Sequence, residues 1–263
     1  MTQLVVARIG CAMDAARRVE RAAHNNSKWC DAVCRAHAVG GEFHEQYWIN
    51  HCVVPPHISK LVTLAGPEHA NAQVSAIQSL IAGEPECYFS VKDAFQCLDL
   101  APLGFEILFE ATWLYWTPGT PLPIDAAETL EWSVVAGADE LAAWEQAWRG
   151  ASAKVGALDE PRIFTPSMLQ EPGLHFLVGK RGDEVVASGA LNRTGDVVGL
   201  CNVFTGVAGV GPLFPGCVRV AQQLYPDIPI VGYGRGSALV AAEKAGFAEV
   251  HPLTVWIRSR PGV

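Results

Sequence analysis

The chain is short of charged residues and has no long apolar run. Only 17% of its 263 residues are charged and 50% are hydrophobic, a composition that supplies a packed core and leaves little material for disordered segments. No segment reaches the roughly 18 consecutive apolar residues of a transmembrane helix. No basic segment followed by an apolar one opens the chain, as a secretory signal would require. We therefore expect a compact cytoplasmic protein that does not enter a membrane.

Clusters of Lys and Arg are also missing. The formal net charge is −8, and without a basic patch the chain has no electrostatic means of holding nucleic acid or anionic lipid. We therefore expect no nucleic-acid partner. The same acidic balance favours a cationic or neutral small molecule over an acidic one as a substrate.

The eight cysteines lack the spacing of a metal site. Cys30, Cys34 and His37 would share one face of a helix, and both residue types are zinc ligands. However, Gly40 and Gly41 end that helix, and no Cys-x-x-Cys or His-x-x-x-His pair is present. We expect no metal and interpret the cysteines as small hydrophobic packing residues, with a zinc site at these three residues as the alternative.

The first 120 residues alternate between helical and extended patterns. Apolar residues spaced three and four apart predict helices over 12–23 and 28–38, and Asn25, Asn26 and Ser27 predict a break that caps the second helix. Farther on, the pattern predicts strands over 47–54, 58–64, 87–91 and 107–116, and helices over 68–82 and from Asp93 onward.

A proline-rich segment divides the chain. Residues 117–123 hold three prolines in seven positions, which suits an extended linker, so we predict domains over 1–120 and 121–263. The second part is predicted to begin with a strand over 130–135, a helix over 138–148, a short helix over 167–170 and a hairpin of 174–180 and 184–191. Strands follow over 197–205, 229–233 and 251–258, with one helix before and one after the strand over 229–233.

The stretch from Val197 to Phe247 carries the functional signal. An apolar strand over 197–205 runs into a turn whose glycines are Gly206, Gly209 and Gly211, and a helix follows. Glycines let backbone N–H groups converge at the start of a helix, where they can hold a phosphate. This pattern predicts a nucleotide-binding turn.

The two halves show signs of an internal repeat. Phe89 lies 15 positions before Gly104, and Val231 also lies 15 positions before Gly246. In both halves a Gly-Phe pair precedes a closing strand that contains tryptophan. Equal spacing of matching elements indicates a duplicated unit.

In the order of these elements the chain resembles the GNAT (N-acetyltransferase) superfamily. The resemblance covers residues 130–258, and a weaker version covers the first half. It implies an α/β protein with a mixed α+β sheet, built as two tandem acyl-CoA N-acyltransferase-like domains of which the first is degenerate. It also implies that two central strands splay apart and that acetyl-CoA enters the gap between them.

The resemblance also implies which residues bind the cofactor. In the family the pyrophosphate lies on a turn of Arg or Gln, two residues, Gly, one residue, and Gly or Ala. Here the two later glycines match, whereas a glycine stands in place of the Arg or Gln. The implied contacts to acetyl-CoA come from Asn202, Val203, Phe204, Thr205, Gly206, Gly209, Val210 and Gly211.

The resemblance implies an acetyl transfer to the amine of a small molecule. Many family members carry a Tyr four residues before the Gly-Phe pair, but this chain has Ala242 there, so Tyr233 is the nearest phenol that can protonate the leaving thiolate. Because of Ala242 and Gly206, a non-catalytic module that binds CoA or another ligand is the alternative. The candidates for a general base are Glu131, His175, Glu184 and His251, with a water relay as the alternative. We expect the cleft between the two halves, lined by Trp113, Tyr115 and Trp132.

Overall fold

A computed structural model describes residues 2–83, 88–123, 130–152, 162–205 and 212–258. The helices are α1 (Thr2–Ala36), α2 (Ala70–Gly83), α3 (Ala138–Ser152), α4 (Leu213–Leu224) and α5 (Gly236–Lys244). The strands are β1 (Glu42–Phe43), β2 (Tyr47–Ile49), β3 (Leu61–Thr63), β4 (Phe89–Asp93), β5 (Phe105–Trp116), β6 (Glu131–Val134), β7 (Leu174–Arg181), β8 (Glu184–Thr194), β9 (Val197–Phe204), β10 (Ile230–Gly234) and β11 (Ala248–Arg258). None of the helices in these ranges is both long and apolar enough to span a bilayer.

All of these strands belong to one mixed sheet. Its order is β1-β2-β3-β4-β11-β5-β10-β9-β8-β7-β6. The β3–β4 and β9–β10 pairs are parallel, and the other neighbours are antiparallel. The predicted α/β class with a mixed sheet is therefore confirmed.

The closing strands of the two halves are interleaved. β11, from the end of the chain, lies between β4 and β5 of the first half, and β5 lies between β11 and β10. The two strands pair antiparallel from Ala248 opposite Tyr115 to Arg258 opposite Phe105. Both are rich in aromatic and β-branched residues, which suit the middle of a buried sheet. The predicted boundary between 1–120 and 121–263 stays a prediction, and the sheet continues across it.

Helices cover both faces of the sheet. The side chains of each strand alternate between the two faces, so each strand packs against helices on both sides. On β5, Trp113 and Tyr115 pack with residues of α1, whereas Leu114 and Trp116 pack with residues of α4 and α5. α3 lies on the α1 face. On the other face, α2 packs on β3 and β4.

The predicted break in the first helix is wrong. α1 runs without interruption through Asn25, Asn26 and Ser27. Asn and Ser interrupt helices when their side chains bond to nearby backbone groups in competing conformations. Here the Asn25 amide instead donates to the carbonyl of Asn192 at 2.8 Å, and the Ser27 hydroxyl donates to the His24 carbonyl at 2.7 Å within the helix. Tertiary packing thus overrides the local signal.

A second correction concerns Asp93, which ends β4 and does not begin a helix. Its carboxylate accepts backbone N–H groups of Leu98 at 2.8 Å and Phe95 at 3.3 Å, so it organises a turn. The predicted strands over 47–54 and 58–64 shorten to three residues each in β2 and β3. The elements predicted between 130 and 258 are all present, including the short helix, which is a 3-10 helix over Pro166–Gln170.

Two glycines that precede the closing strands offer a test of the backbone. Gly104 and Gly246 have φ of 81° and 89°, a conformation that costs an L-residue about 1–2 kcal/mol. A Cβ at Gly104 has open space, whereas one at Gly246 lies 2.6 Å from Thr120 Cγ2. We expect Gly104→Ala to lower the free energy of unfolding by about 1 kcal/mol and Gly246→Ala by roughly 2–3 kcal/mol, because only the second adds a clash.

Urea unfolding of the two variants measures this difference. The double variant Gly246→Ala with Thr120→Ser is expected to recover part of the loss, because it removes the methyl group that clashes. Equal losses at the two glycines would contradict the prediction.

Candidate functional site

The candidate site lies where β9 and β10 part. These strands pair only at Val198 with Ile230 and at Gly199 with Val231. Beyond that point β9 contains a bulge: Cys201 lies opposite Ala190 and Phe204 opposite Ser188, so β9 uses one residue more than β8. A bulge bends its strand and increases the local twist. The edge of β9 therefore turns away from β10.

Asn202 lies at the bulge. Its φ is 51°, in the left-handed region that Asn tolerates better than most L-residues. On the opposite side of the gap, Gly232 and Gly234 pair with β5 and make no pair with β9. The facing backbone edges of both strands are thus open over several residues.

The gap forms a cleft of about 280 Å³. On one face of the sheet it is lined by Asn26, Trp29 and Cys30 of α1, and on the other by Phe214 of α4 and Ala238 of α5. Because those helices lie on opposite faces, the cleft passes through the sheet. A ligand entering from one face can therefore meet a ligand entering from the other.

Three polar side chains meet on the α1 side of the cleft. The Lys92 ammonium donates to Asn26 Oδ1 at 2.6 Å and to Tyr233 Oη at 3.4 Å. It also lies 4.5 Å from the centre of the Tyr233 ring. The ring packs edge-on against Trp113 at 5.6 Å, and Tyr233 stays 37% exposed. The phenol is thus held in place while its hydroxyl remains within reach of a ligand.

Two thiols also line the cleft, and both are unsuited to nucleophilic attack. Burial raises the pKa of the Cys30 thiol, although the nearby Lys92 charge opposes this. Burial also raises the pKa of Cys201. Since the thiolate is the nucleophile, both groups are neutral and unreactive near pH 7. The chemistry of the cleft thus falls to bound ligands and to its polar groups.

A pair of asparagines fixes α1 over the cleft. Asn25 donates to the Asn192 carbonyl at 2.8 Å, and Asn192 donates to the Asn25 carbonyl at 2.9 Å. Gly199 lies beneath them, where a Cβ would collide with both side-chain oxygens. The close approach of α1 to β9 therefore depends on a glycine.

The residues predicted from the sequence to bind the cofactor divide into three groups. Asn202 and Val203 line the cleft. The Phe204 ring packs against Trp144 of α3 at 5.9 Å, and the Thr205 hydroxyl donates to the Val186 carbonyl at 2.7 Å. The predicted phosphate-binding residues lie outside the described residues: Gly206, Gly209, Val210 and Gly211.

The structure brings few of the other predicted residues to the cleft. Tyr233 and Trp113 line it, whereas Tyr115 and Trp132 do not. The candidate bases Glu131, His175, Glu184 and His251 are absent from its lining. His175 instead shares a 2.7 Å hydrogen bond with Tyr225, and burial lowers its pKa.

The residues considered for zinc have other partners. His37 Nε2 forms a 2.8 Å hydrogen bond with the Ile163 carbonyl. Burial raises the pKa of Cys34 to about 12, which disfavours the thiolate that zinc binds. Over the described part of the chain, no three His, Cys, Asp or Glu side chains are grouped as metal ligands.

Comparison with known proteins bears on the fold. No protein-family model matches the chain, and no curated protein is significantly similar in sequence. Among solved structures, a GCN5-related N-acetyltransferase from Kribbella flavida superposes with a TM-score of 0.61 at 16% identity, over 93% of this chain and 96% of the other. A GCN5-related N-acetyltransferase from Sphaerobacter thermophilus gives a TM-score of 0.55 at 12% identity, over 77% and 73% of the two chains.

A third solved structure is similar over most of both chains. It is described as a putative acetyltransferase from the GNAT family from Novosphingobium aromaticivorans, and it gives a TM-score of 0.51 at 12% identity over 88% of this chain and 96% of the other. The chain has the acyl-CoA N-acyltransferase fold. At these identities the likeness is one of fold, and it confirms the fold class predicted from the sequence.

The sequence interpretation missed Lys92 and Asn26. Lys92 alternates with apolar residues along β4, a pattern typical of a solvent-facing side chain. Asn26 lies in the segment where the sequence predicts a helix break. Polar residues flank both positions, His24 and Ser27 beside the asparagines and Asp93 beside Lys92, so no local signal indicates that Lys92 and Asn26 meet.

The contribution of the Asn25–Asn192 pair to stability can be tested by substitution. We expect Asn25→Ala to lower the free energy of unfolding by about 1–3 kcal/mol, because the buried Asn192 carbonyl loses its donor. Thermal or urea unfolding measures the loss. Asn71→Ala, at an exposed position of α2, is the matched control and is expected to change stability little. A loss no larger than that of the control would show that the pair does not hold α1.

Proposed function

We propose that this protein transfers an acetyl group from acetyl-CoA to the amine of a small molecule bound in the cleft. The observation that carries the proposal is the parting of β9 and β10 at the Asn202 bulge, which opens a cleft through an acyl-CoA N-acyltransferase fold. The cleft volume of about 280 Å³ must hold both the acyl group and the acceptor. A small acyl group such as acetyl leaves room for the acceptor.

The open strand edges suit the pantetheine arm of the cofactor. An extended ligand with amide groups can pair with a free strand edge as an added strand does. The edge of β9 near Asn202 and the facing edge of β10 near Gly232 provide such groups. The pyrophosphate would then lie at the start of α4, where the sequence predicts the turn of Gly206, Gly209 and Gly211.

The proposed chemistry is direct transfer between two bound ligands. The acceptor amine attacks the thioester carbonyl, so that a C–N bond forms, the C–S bond breaks, and CoA leaves as a thiolate. A backbone N–H at the β9 bulge stabilises the oxyanion. Tyr233 donates a proton to the leaving thiolate, and the proton that the attacking nitrogen loses as the amide forms returns to Tyr233 through water. Holding both ligands in one cleft supplies much of the acceleration.

A non-catalytic binding module is the second candidate. It is favoured by Ala242, a residue of α5 that is fully buried in the core, and by a described cleft lining without Asp or Glu. Such a module would bind CoA without turnover. Release of CoA that requires an added amine distinguishes the enzyme from the module.

We infer that the two halves are copies of one unit. In each half a parallel strand pair, β3–β4 or β9–β10, is followed by a closing strand. Gly104 and Gly246 precede those closing strands in the same left-handed conformation. The predicted domains over 1–120 and 121–263 agree with this division. The bulge that parts a parallel strand pair lies in the second copy, at Asn202 of β9, while residues of both halves line the cleft. In this proposal the first copy is the degenerate one.

The proposed setting is the cytoplasm, with no nucleic-acid or membrane partner. Cys30, Cys34, Cys52, Cys97, Cys201 and Cys217 are free thiols, as is usual in a reducing compartment.

The bulge can be tested with a matched pair of variants. We expect wild type and Asn202→Gly to bind acetyl-CoA in calorimetry, because glycine adopts the left-handed conformation freely. Asn202→Val is expected to bind about tenfold more weakly or worse, because a β-branched residue at that φ disfavours the bulge. Absence of binding to wild type would reject the proposed function, and equal binding to both variants would reject the role of the bulge.

The proposed acid can be tested by removing one oxygen atom. We expect Tyr233→Phe to lower kcat by about a hundredfold or more while acetyl-CoA affinity is retained. Tyr225→Phe, which alters a tyrosine outside the cleft, is the control. Thiol release with a panel of amines measures the rate. An unchanged kcat in Tyr233→Phe would show that another group or water protonates the thiolate.

A further inference from the structure

The cleft contains a buried positive charge. Lys92 is only 5% exposed, and its ammonium contacts Asn26 Oδ1 at 2.6 Å and Tyr233 Oη at 3.4 Å. Both partners are neutral groups. An ammonium taken out of water loses its hydration and needs an opposite charge to compensate fully.

No carboxylate supplies that charge within the described residues. The described lining of the cleft contains Lys92 and no Asp or Glu, and none of the ion pairs involves Lys92. The adjacent Asp93 lies on the other face of β4 and accepts the Leu98 N–H at 2.8 Å. Asp31, next to Cys30, is bonded to Arg35 at 2.9 Å.

We propose that Lys92 binds a carboxylate of the acceptor, so that the acceptor is a small amino acid, an amine that carries its own negative charge. This inference rests on the proposed function for the amine and on the unpaired Lys92 charge for the carboxylate.

The donor set matches a carboxylate better than a phosphate. Lys92 supplies one positive charge, which a single carboxylate neutralises. The Asn26 amide lies beside it and can donate a hydrogen bond to a carboxylate oxygen. The Tyr233 proton is then left for the leaving thiolate. A phosphate dianion would leave one negative charge uncompensated in the same site.

The contact between Lys92 and Tyr233 also gives the acceptor a direction. A carboxylate at Lys92 lies beside the phenol that we propose as the acid, and the rest of the cleft extends from there to the β9 bulge at Asn202. The amine of an amino acid anchored in this way points along the cleft toward the thioester. A zwitterion is neutral overall, which agrees with the neutral acceptor that the acidic composition favours.

Matched ligands test the carboxylate site without coenzyme A. Trp29, Trp113 and Trp148 line the cleft, so tryptophan fluorescence reports its occupation. The probes are phenylacetate, phenylacetamide and benzylphosphonate, which differ in the charge of one group. We expect phenylacetate to bind wild type at least about tenfold more tightly than phenylacetamide, as a charge-assisted contact provides.

Lysine variants assign the preference to one residue. Lys92→Met is expected to bind phenylacetate and phenylacetamide equally, whereas Lys180→Met, outside the cleft on β7 and paired with Glu140, is expected to keep the preference. We expect Lys92→Met to melt no lower than wild type, because methionine fills a similar volume without a charge to desolvate. If it fails to fold, Lys92→Gln takes its place.

The outcomes separate this inference from the proposed function. Equal or undetectable binding of the first two probes to wild type, or a preference that survives in the Lys92 variant, overturns the carboxylate site even if acetyl-CoA binds. Tighter binding of benzylphosphonate overturns it in favour of a phosphate-bearing ligand. In the acetyl-transfer assay, the loss in Lys92→Met is expected in KM for amino-acid acceptors, with little change for their amides.

Discussion

The antiparallel ladder between β5 and β11 is the interaction on which the rest of the structure depends. Each strand closes its own half and lies inside the other. This places β4 of the first half and β10 of the second in a single sheet. Lys92 and Tyr233 can therefore meet, although 141 positions separate them in the chain. In two separate sheets these residues would have no common cleft.

The cleft follows from local weaknesses in that sheet. A bulge at Asn202 and the glycines of β10 end the pairing of β9 with β10 after two positions, while α1 closes over the gap through Asn25 and Asn192. Covering the gap also buries Lys92, and burial of an unpaired charge costs stability in the empty protein. A bound anion would neutralise the Lys92 charge and recover that stability. The cleft would therefore bind an anionic ligand more tightly than a neutral one.

Much of the second half could be predicted because its signals are local. Strand alternation, the hairpin turn and helical spacing between residues 130 and 258 each depend on neighbours in the chain. The misses at Asn25 and Lys92 share one cause, which is that a partner far away in the chain gives the side chain a role that its local pattern does not indicate. The local pattern at Asn25 predicts a helix break, but its side chain donates to the carbonyl of Asn192 and the helix continues. The local pattern at Lys92 predicts a solvent-facing side chain, but α1 covers it in the structure.

The sequence by itself determined the positions of most strands and helices, because these depend on periodicity within short windows. The mixed sheet class and Tyr233 as a candidate acid were implied by the resemblance to a known family. Only the tertiary structure decided that the closing strands exchange places, that the first helix is continuous, and that Lys92 faces a cleft whose described lining holds no carboxylate. The physical reason is that burial and charge pairing depend on contacts between residues far apart in the chain. A local sequence pattern does not specify which residues make those contacts.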